Sequence, residues 1–161
     1  MTEAVRLGGA WIACRPGCYE CCLGPFSISS SEAQRLQHGL TALAPDAAER
    51  VRRQAAAYMA TISSYDPDGL PEGMDEVPCP ALDPATHCCD LYQARPITCR
   101  TFGPAVKMAD GAVATCELCF EGASEEEIAA CAVEIAPELV SEAAAGKTLF
   151  VALALSQLLN S

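Results

Sequence analysis

Cys14-Arg15-Pro16-Gly17-Cys18-Tyr19-Glu20-Cys21-Cys22 places four cysteines within nine residues, in the spacing C-x3-C-x2-C-C. Two or three residues between thiolates let successive side chains converge on one ion, or on neighbouring irons of a cluster. Gly17 removes a Cβ where such a chain must wrap closely and offer backbone N–H groups to sulfur. Neighbouring Cys21 and Cys22 cannot easily point the same way. They imply either two metal sites, or one ligand beside one buried thiol.

A second set lies far along the chain. Cys79-Pro80-Ala81-Leu82 is followed by Cys88-Cys89-Asp90-Leu91-Tyr92-Gln93-Ala94-Arg95-Pro96-Ile97-Thr98-Cys99-Arg100, and Cys116-Glu117-Leu118-Cys119 closes it. A late C-x2-C that completes an earlier one is a common way to finish a four-thiolate site. Arg95 and Arg100 stand beside these cysteines, where a cation would lower thiolate pKa and balance negative charge. Ordinary salt bridges to carboxylates are the alternative for both.

Eleven cysteines in 161 residues form either a disulfide framework or a set of metal or redox ligands, and the choice depends on compartment. The opening MTEAVRLGGAWIAC lacks a basic start followed by a long apolar run, so no secretory signal is read and a cytoplasmic protein is expected. The odd cysteine count and the core-forming helices also favour metal over disulfides. A formal charge of −11 repels phosphate backbones, which argues against nucleic acid as a partner. The apolar stretch from Thr148 to Leu159 is shorter than the roughly 20 residues a membrane span requires, so it reads as a buried helix or a partner face.

The rest predicts a mainly α fold, a helical scaffold around an irregular, proline-rich cysteine region, organised as one domain over residues 1–161. Ser29-Ser30-Ser31-Glu32 is a capping box, and Ala33, Leu36, Leu40 and Leu43 follow at helical spacing until Pro45. Asp46 with Glu49 repeats the capping pattern ahead of Val51, Ala55, Tyr58, Met59 and Ile62. Ser124 with Glu127 opens a third helix, with Ile128, Cys131, Ala132 and Ile135 on its inner face. Pro137 breaks it or begins another turn, and Gly146 precedes an apolar C-terminal helix, so that residues 124–160 are read as helical. Prolines from Pro67 to Pro104 deny long helices to the stretch from Tyr65 to Cys119. Asp110-Gly111 allows one short β-hairpin, between Ala105–Ala109 and Ala112–Cys116. Ligation would offset the entropy lost in ordering so long a loop.

The same residues carry a resemblance. C-x3-C-x2-C-C followed by Gly24-Pro25 and Ser27-Ile28-Ser29, with the later Cys79-Pro80 and Cys89-x2-Tyr92-x2-Arg95-Pro96-x2-Cys99-Arg100, is similar to the YkgJ-type cysteine cluster family, described as a zinc- or iron-chelating domain. The likeness runs from about Cys14 to Cys119. It implies metal ligation by Cys14, Cys18, Cys21, Cys22, Cys79, Cys89 and Cys99, with Cys116 or Cys119 in addition. A related motif in a flagellin lysine methylase, which resembles an iron–sulfur protein, points toward a cluster. Cys88 and Cys131 have no counterpart in the pattern.

The expected cofactor is therefore an iron–sulfur cluster of [4Fe–4S] type, with Cys14, Cys18 and Cys21 as three ligands and a distant cysteine such as Cys99 as the fourth. Cys22, Cys79, Cys89, Cys116 and Cys119 would line it or build a second site. Structural zinc in one or two all-cysteine sites is the alternative, and would make the chain an interaction module. A protein partner is expected in either case. No general base or cofactor loop stands beside the cysteines, so an enzyme is the weaker reading. Cys131 reads as a small core hydrophobe, His87 as a loop histidine without a metal role, His38 as surface, Met59 and Met74 as packing, and Tyr92 as an apolar wall over the site. Gly146-Lys147-Thr148 matches the end of a phosphate-binding loop, but Ser141 stands where the leading glycine belongs.

Overall fold

The computed structural model describes residues 2–62, 73–108, 110–143, 146 and 148–156. Helix dominates: α1 Thr2–Gly8, α2 Ser30–Thr41, α3 Pro45–Thr61, α4 Ile97–Thr101, α5 Glu125–Cys131, α6 Pro137–Ala143 and α7 Val151–Ser156. The strands are two residues each: β1 Ser27–Ile28, β2 Leu82–Asp83, β3 Cys88–Cys89, β4 Val106–Lys107, β5 Val113–Ala114, β6 Val133–Glu134 and β7 Leu149–Phe150. Residues 63–72, which open the stretch read as irregular, and the chain beyond Ser156 lie outside the described residues.

The main core is a three-helix contact. α7 packs on α3 and α2 and buries Val151, Ala154 and Leu155 against Leu36, Leu40, Val51 and Ala55. Small residues let the helix axes approach, since Ala55 and Ala154 are completely buried. The 3-10 turn Tyr92–Ala94 completes this core with Leu91 and Ala94. Gly39 makes that approach possible, because a Cβ there would lie 2.7 Å from Ala94 Cβ and 3.3 Å from Leu91 Cδ2.

Ser29 caps α2 as a full capping box with Glu32, and Ser124 caps α5 in the same way with Glu127. Three expectations are corrected. Pro45 opens α3 at its first position and Ala44 is the cap residue, so Asp46 and Glu49 form no capping box; a fixed proline φ suits the first helical turn and supplies the start signal instead. α5 ends at Cys131, because Ala132 turns extended and Val133–Glu134 pairs in parallel with β4. Ile135 is therefore outside the helix. Leu149–Phe150, expected as helix, pairs antiparallel with β1 before α7 begins. β4 also pairs antiparallel with β5, with Met108 N–H donating to Ala112 O and Gly111 N–H to Met108 O.

Gly39→Val should strain the contact between α2 and the Tyr92–Ala94 turn, and overpacking of this kind costs about 1–3 kcal/mol. Urea unfolding monitored by circular dichroism should show that loss; an unchanged midpoint would contradict the packing.

Candidate metal centre

The N-terminal cysteine segment and the Cys79 segment are joined backbone to backbone. Cys79 N–H donates to Cys22 O at 2.6 Å, Gly24 N–H donates to Val77 O at 2.9 Å, and Leu23 faces Pro78 as an antiparallel bridge. Gly24 holds φ +90°, which glycine adopts without strain, and its absent Cβ leaves ordinary contact distance to Asp75.

Cys89 arrives on the β2–β3 hairpin. Leu82 pairs with Cys89 and Asp83 with Cys88, and neighbouring residues of a strand point to opposite faces. Cys89 consequently turns inward while Cys88 is exposed, its thiol donating to Thr86 O at 3.5 Å. The hairpin is fixed to α3 by Arg50, which donates to both carboxylate oxygens of Asp90 at 2.9 and 2.8 Å, and by Gln54 Nε2 donating to Leu82 O at 3.0 Å. In its turn Asp83 accepts from Ala85 N–H and the Thr86 hydroxyl, and His87 adopts φ +54°. The His87 ring lies against Tyr19 at a centroid distance of 4.8 Å.

Cys99 is carried by α4, whose start is latched by a residue of α2. The buried Glu32 accepts from Ser29 N–H with one carboxylate oxygen and from Ile97 N–H, at 2.7 Å, with the other. One carboxylate thus caps α2 and holds the loop that delivers Cys99. The capping motif marks Glu32 in the sequence, but its second bond spans 65 residues and left no local signal there.

Cys21, Cys22, Cys79, Cys89 and Cys99 line one small cavity of about 20 Å³, walled by Phe26, Leu36, Ala81, Leu91, Pro96 and Val151, with Arg95 at its edge. The adjacent Cys21 and Cys22 both face it. They sit on the tight 3-10 turn Glu20–Cys22, which corrects the expectation that neighbouring cysteines diverge. Burial pushes the Cys79 and Cys99 thiols up to about 12, and raises Cys89 also. The thiol of Cys22 is raised strongly by its hydrogen bond with Cys21 and then by burial. Cys21 is the counterpart: that hydrogen bond lowers it to about 6 against the effect of burial, with Arg95 helping.

Of the two arginines, Arg95 is the cation that the Cys21, Cys89 and Cys99 thiols feel. Its guanidinium lies 3.8 Å from the Tyr92 ring centroid and donates to Cys99 O. Tyr92 is 58% exposed, so it supports Arg95 from outside and does not wall the cavity. Arg100 donates to the carbonyls of Arg95 and Gln93 and shapes the loop. Among the described residues neither arginine forms an ion pair with a carboxylate.

Cys14, Cys18, Cys116 and Cys119 gather elsewhere. The Cys14 thiol is pushed up to about 12 by burial and then by Cys119, with Cys18 and Cys116 adding. As a residue Cys14 is exposed, but its sulfur presses on Gly103, where a Cβ would come within 2.7 Å. Cys116 and Cys119 are buried with Ala105 and Phe120. Cys131 packs on this second core and donates its thiol hydrogen to Leu7 O at 3.3 Å. The expected grouping of Cys14, Cys18 and Cys21 with Cys99 is not the one the fold makes: Cys14 and Cys18 go with the late C-x2-C, and Cys21 goes with Cys99.

All eleven cysteines are free thiols. The donor set is pure sulfur, which suits zinc or iron. Among the described residues no group of three or more His, Cys, Asp or Glu side chains is placed to hold a metal ion, so neither set is a finished coordination sphere.

The paired thiol sets define a cysteine-rich metal-chelating class of protein. The chain belongs to the CxxCxxCC family, described as "Putative zinc- or iron-chelating domain", whose model matches residues 13–133. No curated protein and no solved structure matches the chain.

In the metal-free, reduced protein Cys21 should be a thiolate at pH 7. Iodoacetamide should label it at least about tenfold faster than Cys79 or Cys99. That advantage should fade as pH falls through about 6, the value to which Cys21 is lowered. Peptide mass spectrometry showing equal labelling of the three would contradict the assignment.

Proposed function

We propose that this chain is a metal-binding protein whose main centre is an iron–sulfur cluster held among Cys21, Cys22, Cys79, Cys89 and Cys99, with Arg95 as the neighbouring cation. The observation that carries the reading is the convergence of five thiols from four separate chain segments on one enclosed, apolar-walled cavity. Five sulfurs exceed what one tetrahedral ion uses. Burial and a nearby cation are the levers by which a protein tunes such a cluster. A bound cluster supplies one-electron chemistry; the residues of this chain bind it, balance its charge and limit water. Such a protein serves electron transfer or redox sensing for a protein partner, or supports a modification reaction. Free thiols fit a reducing cytoplasm. The net charge of −11 disfavours nucleic acid. No helix among the described residues is long and apolar enough to cross a membrane.

Zinc is the second reading, and the size of the cavity favours it. The cavity of about 20 Å³ is near the room needed for a single water-sized body, so a cluster requires its walls to spread while one ion does not.

Anaerobic purification should yield iron and acid-labile sulfide in similar amounts, with broad visible absorbance. Cys89→Ser should abolish both, whereas Cys88→Ser, on the outward face of the same strand, should keep them. Zinc without iron would transfer the site to the second reading. Retention of full iron and sulfide in Cys89→Ser would remove Cys89 from the centre.

A further inference from the structure

We infer that the cleft bounded by α4, α6 and the sheet of β4, β5 and β6 is a binding site for an uncharged bicyclic aromatic molecule that carries one hydrogen-bond acceptor. The inference goes beyond the metal centre and does not rest on ligation by any cysteine.

The fold builds this cleft from segments distant in the chain. α4 supplies Ile97, Thr98 and Thr101, β4 supplies Val106, β5 supplies Ala114 and α6 supplies Val140. Parallel pairing of β6 with β4 brings the chain to α6, and α6 touches α4, so both helices bound the same space. Its volume is about 340 Å³, against about 20 Å³ for the five-thiol cavity.

The lining states which chemistry fits. Among the described residues no charged side chain faces the cleft, and a charge buried without a partner is costly, so the ligand is neutral. The Thr101 hydroxyl is engaged with Ile97 O at 2.9 Å and the Thr115 hydroxyl with Gly103 O at 2.8 Å. The Thr98 hydroxyl has no partner among the described residues and is left to donate to one acceptor on the ligand. Phe102 and Met108 are 40% and 47% exposed. An aromatic edge and a thioether both favour an aromatic occupant. With Val140 they gather three exposed apolar side chains at one cleft, the mark of a binding surface.

Size narrows the class further. An apolar cavity of about 150 Å³ takes one benzene ring, so a volume of about 340 Å³ suits two fused rings. It is smaller than one turn of a helix about 10 Å wide, which excludes a folded helical peptide. No cysteine lines the cleft, yet it adjoins both thiol sets. Thr98 precedes Cys99, Thr115 precedes Cys116, and Gly103 stands between the cleft and the Cys14 sulfur.

The test uses full-length, anaerobically purified protein and prodan, a neutral naphthyl ketone whose emission moves to the blue in apolar surroundings. Wild-type protein should bind one prodan per chain with a blue shift, and naphthalene should displace it. Ala114→Trp fills the cleft from an exposed strand position and should weaken prodan binding at least about tenfold. Ala112→Trp, on the same hairpin but outside the cleft, should bind as wild type does. Thr98→Val should weaken prodan binding about fivefold, the loss of one hydrogen bond, and leave naphthalene, which has no acceptor, unchanged. Ala114→Trp should also keep the wild-type metal content, so that failure of this site and failure of the metal reading are told apart. Absence of a blue shift with wild-type protein, or equal binding by Ala114→Trp, would overturn the site. Equal loss of prodan and naphthalene in Thr98→Val would overturn the hydrogen bond. A wild-type dimer that Ala114→Trp converts to monomer in sedimentation would overturn the ligand in favour of a second copy of the chain.

Discussion

The backbone bond from Cys79 N–H to Cys22 O, at 2.6 Å, is the contact on which the arrangement of thiols depends. It joins two stretches separated by 56 intervening positions, and with the Gly24–Val77 bond it forms a short antiparallel seam. Main-chain bonds fix register and direction together, so this seam decides which faces of the two segments meet. Without it the sulfurs would rely on metal alone to find one another. With it, Cys21 and Cys22 already look toward Cys79.

Two further anchors bring the remaining thiols to the same place. Arg50 and Gln54 hold the β2–β3 hairpin on α3, and Glu32 holds the beginning of α4 on α2. Each anchor ends on the helical core, so the packing of α7 against α2 and α3 is transmitted to sulfur positions. A buried carboxylate that accepts two backbone N–H groups is well satisfied and adds direction to the loop it holds. The scaffold therefore determines the site through a few polar bonds, and the apolar contacts determine where those bonds start.

Much of this was legible in the residues themselves. The capping boxes at Ser29 and Ser124 carry their own geometry, because cap and partner lie three residues apart. The clustering of Cys14, Cys18, Cys21 and Cys22 likewise marks a ligand-rich segment, and the family match agrees with it. The partition of the thiols was not legible. Spacing alone groups Cys18 with Cys21, yet Cys21 and Cys22, on the 3-10 turn Glu20–Cys22, line the cavity beside the helical core, while the Cys14 sulfur presses on Gly103 and feels Cys18, Cys116 and Cys119. The strands β6 and β7 were missed because two-residue strands have no periodicity of their own and exist only through their partners.

The sequence by itself determined the chemistry available: eleven thiols, few basic groups, helix starts marked by local caps, and prolines that keep the cysteine region out of long helices. These properties are local, since a side chain's affinity for metal and a cap's hydrogen bonds need only near neighbours. The tertiary structure alone decided which thiols meet, that Cys89 turns in and Cys88 out, and that Arg95 serves the thiols while Arg100 serves the backbone. Those outcomes depend on contacts across many tens of residues, and the free energy of such a contact depends on where the fold has already placed both partners.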